Sequence, residues 1–198
     1  MRYSDIEYVE CDQVYQPAED TFLLIDNLEV EPNSKVLEIG CGSGIVSIKA
    51  SKKARSVTAV DINPYAITCT RKNMELNNTT NITLVESDLF DDITDTYDLI
   101  IFNTPYLPVD DDEHDESIYT KAWDGGNSGR EVIDEFISQA PQYLRENGAI
   151  QLVQSSLSDN DKTLERLRQL GLKAEITAEE HIFFEDITLI TARQVDHP

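Results

Sequence analysis

Asn103-Thr104-Pro105-Tyr106 sets an amide, a proline and an aromatic ring directly after the apolar run Leu99-Ile100-Ile101-Phe102. The run reads as a buried strand, and in an open α/β sheet ligands bind where strands end. The Asn103 side-chain carbonyl can accept one N–H of a planar nitrogen, and the Thr104 backbone carbonyl can accept the other. Pro105 limits how that backbone carbonyl can turn. Tyr106 offers a ring to stack on a planar group. An amide or exocyclic amino nitrogen is a poor nucleophile, because its lone pair is delocalised. Held in line with a sulfonium methyl and polarised by two acceptors, it can attack, with alignment and electrostatics supplying most of the catalysis. No strong general base is required if the proton leaves after the methyl transfer. Considered alone, the same four residues also fit a strand-terminating turn.

A second constellation lies upstream. Glu38-Ile39-Gly40-Cys41-Gly42-Ser43-Gly44 is a glycine loop at the end of another short apolar strand, Val36-Leu37-Glu38-Ile39. Glycine lets the backbone turn tightly and lets a ligand approach the main chain. The spacing is G-x-G-x-G, not the G-x-G-x-x-G of dinucleotide folds, and alone it also fits a structural turn. Asp61 ends the next strand about twenty residues on, where an acid can accept hydrogen bonds from ribose hydroxyls. Asp88 ends the third strand, within reach of an adenine amino group, with Leu89 against the ring; alone it fits a turn aspartate. Glu38 is placed to meet the positively charged amino-acid end of a ligand, because burying it unpaired is costly. Acids at successive strand ends around one glycine loop suit S-adenosylmethionine better than NAD.

The elements that position these residues alternate. Residues 45–53 read as a helix and residues 56–61, with Val57 and Val60, as a strand. Pro64 suits the first turn of a helix that Asn77-Asn78 stops. Residues 81–86 and 97–102 are the third and fourth strands. Ser128 and Glu131 fit a capping box opening a helix to residue 144, and residues 148–154 are the fifth strand. Residues 159–170 form a helix with Leu164, Leu167 and Leu170 on one face, closed by Gly171. Residues 172–177 and 182–192 are two strands with no room for a helix between them, so they pair antiparallel. The sum is an α/β fold with a mostly parallel, doubly wound sheet of seven strands and one reversed C-terminal strand. Before the first strand, residues 17–28 read as an amphipathic helix with Phe22, Leu24, Ile25 and Leu28 inward.

The 198 residues suffice for one α/β domain, and no Pro/Gly/Ser-rich linker divides them. The expectation is a single domain over 1–198, with an N-terminal extension and helix over 1–30 and a disordered tail over 192–198. No apolar run approaches the ~18 residues of a membrane helix, and the first eleven residues do not resemble a signal peptide; a cytoplasmic protein is expected. Cys11, Cys41 and Cys69 stand far apart, and His114, His181 and His197 form no cluster, which argues against a metal site and a disulfide framework. The net charge is -22, from 16 basic and 38 acidic residues. Such an excess gives a solvated, self-repelling surface, as in proteins adapted to high salt, or an acidic face for a basic partner. Attraction to bare phosphate is a poor candidate for the main binding force.

With these residues in place, a resemblance becomes specific. Asn103-Thr104-Pro105-Tyr106 resembles the N-P-P-Y motif of class I methyltransferases that modify planar nitrogens. Val14-Tyr15-Gln16-Pro17-Ala18-Glu19-Asp20-Thr21-Phe22-Leu23-Leu24 resembles a segment of the HemK-like glutamine methyltransferases, in the archaeal–eukaryotic branch that modifies class I translation release factors. Ala122-Trp123-Asp124-Gly125-Gly126-Asn127-Ser128-Gly129-Arg130-Glu131-Val132 resembles another segment of that branch, and Asp61-Ile62-Asn63-Pro64 agrees. The resemblance implies a Rossmann-like class I methyltransferase using S-adenosylmethionine. Thr21, Glu38, the loop residues Gly40, Cys41, Gly42 and Gly44, Asp61, Ile62, Asp88 and Leu89 would contact the cofactor. Asn103 would lie between cofactor and acceptor, with Thr104, Pro105 and Tyr106 shaping the acceptor slot. The family's substrate is the glutamine of the release factor's Gly-Gly-Gln motif. An adenine-N6 methyltransferase on RNA or DNA, a protein lysine methyltransferase and a non-catalytic translation scaffold remain as alternatives.

Two departures carry consequences. Thr104 replaces the usual first proline, which implies some loss of rigidity. The helical N-terminal domain with which bacterial relatives grip the release factor has no counterpart in this sequence. Members of this branch resemble obligate pairs with a small zinc-binding activator. The edge strand from Asn81 through Glu86 is the expected pairing site by β-augmentation, unless the acids around it simply protect the edge. The branch and the acidity together suggest a halophilic archaeal source. Residues 109–129, with the acidic run Asp110 through Glu116 and Trp123, read either as a substrate lid or as a flexible acidic loop anchored by Trp123.

Overall fold

The computed structural model describes residues 1–107 and 117–194. The acidic run and the last four residues of the expected tail lie outside the described residues. The chain opens with a hairpin that the sequence did not suggest, β1 (Arg2–Tyr3) with β2 (Ile6–Glu7), followed by α1 (Glu19–Asp26). The alternation then follows as expected: β3 (Lys35–Ile39), α2 (Ile45–Ser51), β4 (Ser56–Asp61), α3 (Pro64–Leu76), β5 (Ile82–Glu86) and β6 (Tyr97–Asn103). The remaining elements are α4 (Glu131–Gln139), β7 (Leu144–Ser155), α5 (Asn160–Gln169), β8 (Leu172–Ile182) and β9 (Glu185–Gln194).

Seven strands form one sheet in the order β5-β4-β3-β6-β7-β9-β8. β9 alone runs against its neighbours, antiparallel to both β7 and β8. Alternate residues of β3 and β6 enter two different cores, as a pleated strand dictates. Val36, Leu99 and Ile101 meet Leu24 of α1, Ile48 of α2 and Ile67 of α3. Leu37, Ile39, Ile100 and Phe102 meet Phe136 of α4 and Leu167 of α5. Both faces are therefore covered, and β5 and β8 are left as edges. Among the described residues no helix is long and apolar enough to cross a membrane.

Several expectations are corrected. The helix α4 is not opened by Ser128: its N-cap is Arg130, and after Gln139 it tightens into a 3₁₀ turn, Ala140–Tyr143. Strand β7 starts at Leu144, and the C-terminal strands extend until only Phe183 and Phe184 connect them. On α1, Leu23 is buried with Leu24 and Ile25, while Phe22 lies half-buried, stacked on Tyr3 with ring centroids 4.0 Å apart. Cys11 and Cys69, 58 positions apart, form a disulfide with Cα atoms 6.0 Å apart. Sequence spacing could not reveal this pair, because it depends on the N-terminal segment lying along α3. Asn73 of α3 holds that segment too, accepting from the Val9 amide at 2.8 Å.

Candidate active site

A cavity of about 630 Å³ opens where β3, β4, β5 and β6 end, a size suited to a nucleoside-type cofactor plus a small acceptor group. Parallel register puts the four strand ends side by side: Ile39 pairs with both Val60 and Phe102, and Asp61 with Glu86. The cofactor and acceptor constellations, far apart in the chain, thus line one space.

The glycine loop forms its floor. Gly40, Gly42 and Gly44 all have positive φ. At Gly44 a side chain would strike Thr70, whereas at Gly42 a Cβ would meet nothing within 4 Å. The main chain at Gly42 is therefore open to a ligand. Gly44, among the residues expected at the cofactor, lies off the cavity wall and serves the packing of α2 on α3. The buried Cys41 thiol sits 3.4 Å from the Thr70 hydroxyl, and burial pushes its pKa well up.

Two acids flank this loop. Glu38 is buried, accepts a hydrogen bond from Ser47 on α2, and is pushed up by desolvation to about 8. Asp61 accepts from the amides of Gly42 at 2.8 Å and Asn63 at 2.9 Å; burial raises its pKa against those bonds. Ile62, Asp88 and Leu89 complete this end of the wall. Leu89 holds a φ of 42°, a costly conformation for a residue other than glycine, on the cavity wall.

At the other end, Asn103 closes β6. Its Oδ1 is buried and meets no hydrogen-bond donor among the described residues. A buried acceptor without a partner is rare in folded proteins and marks a place built for something else. Thr104 is buried, and its hydroxyl donates to the Val153 carbonyl on β7 at 2.7 Å. Pro105 is buried, and Gly125 packs so closely that a Cβ there would lie 2.8 Å from the Pro105 carbonyl. Tyr106 is half-buried, and its hydroxyl reaches Asp20 at 3.4 Å.

Asp20 joins three segments. It also accepts from the Tyr15 hydroxyl at 3.2 Å and from the Thr21 amide at 2.6 Å. Burial first, and then the Asp20 charge, push both tyrosines up, so both remain protonated donors. Reasoning from sequence named Thr21 but missed Asp20 and Tyr15. The available signal was an aspartate beside Thr21 on the inward face of an apolar helix. Ser47 was also missed, since nothing local distinguishes it.

Of the segment over 109–129, residues 117–129 are described. They return to the acceptor turn: Leu107 donates to the Trp123 carbonyl at 3.0 Å, and Gly125 donates to the Leu107 carbonyl at 2.9 Å. Trp123 is half-buried on the cavity wall, and Lys121 stands there exposed. Among the described lining residues, Asp20, Glu38, Asp61, Asp88, Asp124 and Glu135 face one basic group, Lys121. The cavity suits a cation and disfavours a pyrophosphate.

Comparisons with known proteins agree with this geometry. The family model for the methyltransferase small domain matches residues 17–183. A protein of Methanocaldococcus jannaschii assigned as a protein N5-glutamine methyltransferase is 46% identical over 181 residues, covering 91% of each chain. The methyltransferase HEMK2 of Homo sapiens is 34% identical over 171 residues, 81% of this chain and 80% of its own. The E. cuniculi Mtq2–Trm112 complex, responsible for methylation of the termination factor eRF1, contains a chain that is 28% identical. It superposes with a TM-score of 0.72 over 92% of this chain and 99% of its own. A strand-end acceptor turn, an acid-lined cavity and these relatives converge: the chain belongs to the methyltransferase small-domain family, among the HemK-type protein N5-glutamine methyltransferases.

Proposed function

We propose that this enzyme moves a methyl group from S-adenosylmethionine to the side-chain amide nitrogen of the Gly-Gly-Gln glutamine in a class I translation release factor. The observation that carries the reading is Asn103 Oδ1, a buried acceptor with no partner among the described residues, on the wall of an acid-lined cavity. A hydrogen-bond donor is what it lacks, and an amide N–H would supply one.

The residues present fit the cofactor. Glu38 would hold its ammonium, Asp61 its ribose hydroxyls, and Asp88 with Leu89 its adenine. Thr21, Ile62 and the loop at Gly40, Cys41 and Gly42 would close around it, with Gly44 shaping the loop from outside. Bound there, S-adenosylmethionine supplies an electrophilic methyl on a sulfonium. Asn103 Oδ1 and the Thr104 carbonyl would accept the two amide N–H groups, turning the nitrogen lone pair toward that methyl. Pro105 and Tyr106 would wall the planar amide. Asn103 Oδ1 and the Thr104 carbonyl would hold the nitrogen until it sheds one proton to solvent, while the sulfonium would give up that methyl and leave as a neutral thioether.

The release factor as substrate is supported by the stated activity of the E. cuniculi complex and by the bacterial relative named release factor glutamine methyltransferase, 32% identical over 160 residues. A small zinc-binding activator would pair with the exposed edge of β5, whose backbone offers a strand-addition site. Residues 1–198 would act as one domain in the cytoplasm. The net charge of -22 fits a halophilic source, and unfolding midpoints that rise with potassium chloride would support that origin.

The test is direct. The chain, co-expressed with the activator, receives labelled cofactor together with release factor, a release factor whose motif glutamine is alanine, or RNA. Label on release factor that disappears with the glutamine supports the reading. Label in RNA alone overturns it.

A further inference from the structure

The β8–β9 hairpin ends in two phenylalanines that do nothing for the fold. Ile182 pairs with Glu185, so Phe183 and Phe184 are the whole turn. Phe183 is 89% exposed and Phe184 97%. Phe183 also holds a φ of 48°, where glycine or asparagine is the easy choice and phenylalanine is not. Neither burial nor backbone geometry accounts for these rings.

Their position does. The hairpin tip is tied to the 3₁₀ turn Ser156–Ser158: Ser155 donates to Glu185, and the Asp186 amide donates to the Ser156 hydroxyl at 3.0 Å. The same turn holds the acceptor slot, because the Ser158 hydroxyl donates to the Tyr106 carbonyl at 2.8 Å. Leu157, between these contacts, is 61% exposed. Glu185 lies close enough for its charge to act on the Tyr106 phenol. The apolar tip is therefore linked to the backbone of the acceptor turn through the hydrogen bonds of residues 155–158. Around it stand Glu179, Glu180, Glu185 and Asp186, with His181 paired to Asp186 at 2.7 Å.

We infer that Phe183, Phe184 and Leu157 form a docking surface for the folded substrate protein, which presents apolar side chains within a basic surround. The inference rests on the proposed protein-glutamine reading. Aromatic residues, phenylalanine among them, are enriched at protein–protein interfaces, and the acidic surround selects a basic partner. The surface grips the protein outside the slot, so the slot itself needs to hold only the acceptor side chain.

The test compares two substrates for the full chain with its co-expressed activator: intact release factor and a short peptide containing Gly-Gly-Gln. The double variant Phe183→Ala/Phe184→Ala should raise KM for the intact protein by about tenfold or more, the loss expected for hot-spot aromatics. Turnover of the peptide should stay within about twofold, since peptide and protein differ in contacts outside the slot. Leucine at both positions should restore most of the protein KM. An unchanged protein KM overturns the docking surface, as does an equal loss on both substrates. A parent chain that dimerises, with a variant that is monomeric, also overturns it by assigning the tip to a second copy. A parent chain that methylates neither substrate sinks the functional reading instead, and the docking surface with it.

Discussion

The Thr104 hydroxyl donates to the Val153 carbonyl at 2.7 Å, and the Thr104 amide reaches the same oxygen at 3.2 Å. The acceptor turn is thus fastened to β7 by the residue that replaces the usual proline. Proline could make neither bond. The rigidity that the sequence suggested was lost is restored from the side. Thr104→Val keeps the shape and the amide bond but removes the hydroxyl bond. It should cost about 0.5–1.5 kcal/mol, seen in thermal or denaturant unfolding. It should lower kcat with little change in cofactor affinity, because the Thr104 carbonyl would wander. Serine should recover both; a valine variant with full kcat would refute the fastening.

Asn103 sets stability against activity. Its Oδ1 is buried without a partner among the described residues, which costs a fold about 1–3 kcal/mol. Asn103→Ala relieves that cost, so the melting temperature should hold or rise. Losing a positioned polar contact in the transition state should lower kcat about 10²–10³-fold, while cofactor affinity changes little. An alanine variant that melts much lower would make Asn103 a structural residue.

Glu38 should report cofactor binding through protons. Burial pushes it from an ordinary 4.5 to about 8. An acid with a raised folded pKa binds more protons folded than unfolded between those two values. Its contribution to stability is therefore full below about 4.5 and declines as pH rises toward about 8. Glu38→Gln should flatten that decline. An ammonium arriving beside Glu38 favours the carboxylate, so binding near neutral pH should release a proton. Calorimetry in buffers of different ionisation enthalpy should show this release in the parent and not in the glutamine variant. Buffer-independent heats in the parent would sink the assignment.

The fold and most of the residues that line the candidate site were legible because their signals are local and ordered along the chain. Apolar runs ending in Gly40, Asp61, Asp88 and Asn103 mark strand ends, and parallel pairing must bring such ends together. Asp20 was not legible as a site residue: its partner Tyr106 is 86 positions away, and only the packing of α1 against the β6 turn joins them. The start of α4 misled for a similar reason. Ser128 has the spacing of a cap, but the buried Arg130 guanidinium donates to Ser158, Asp159 and Thr163 near α5. That tertiary anchor outweighs the capping bond Ser128 could make.

The disulfide fixes a strap of chain beside the glycine loop. Cys11 and Cys69 close a loop of 58 positions, and between Cys11 and α1 the chain carries Val14 and Tyr15 onto the cavity wall. The Gln13 carbonyl accepts from Asn63 at 2.7 Å, so the strap is held at two points beside the glycine loop. Chain entropy for a loop of this length is worth about 4 kcal/mol, and native bridges commonly deliver about 2–4. Reduction, or Cys69→Ser, should lower the unfolding free energy by that amount. It should speed hydrogen exchange over residues 9–16 and weaken cofactor binding, because Tyr15 loses its fixed approach to Asp20. In the oxidised protein, alkylation after unfolding should label Cys41 alone. Labelling of all three cysteines would show that the strap is held without the bridge, and exchange there should then be insensitive to reductant.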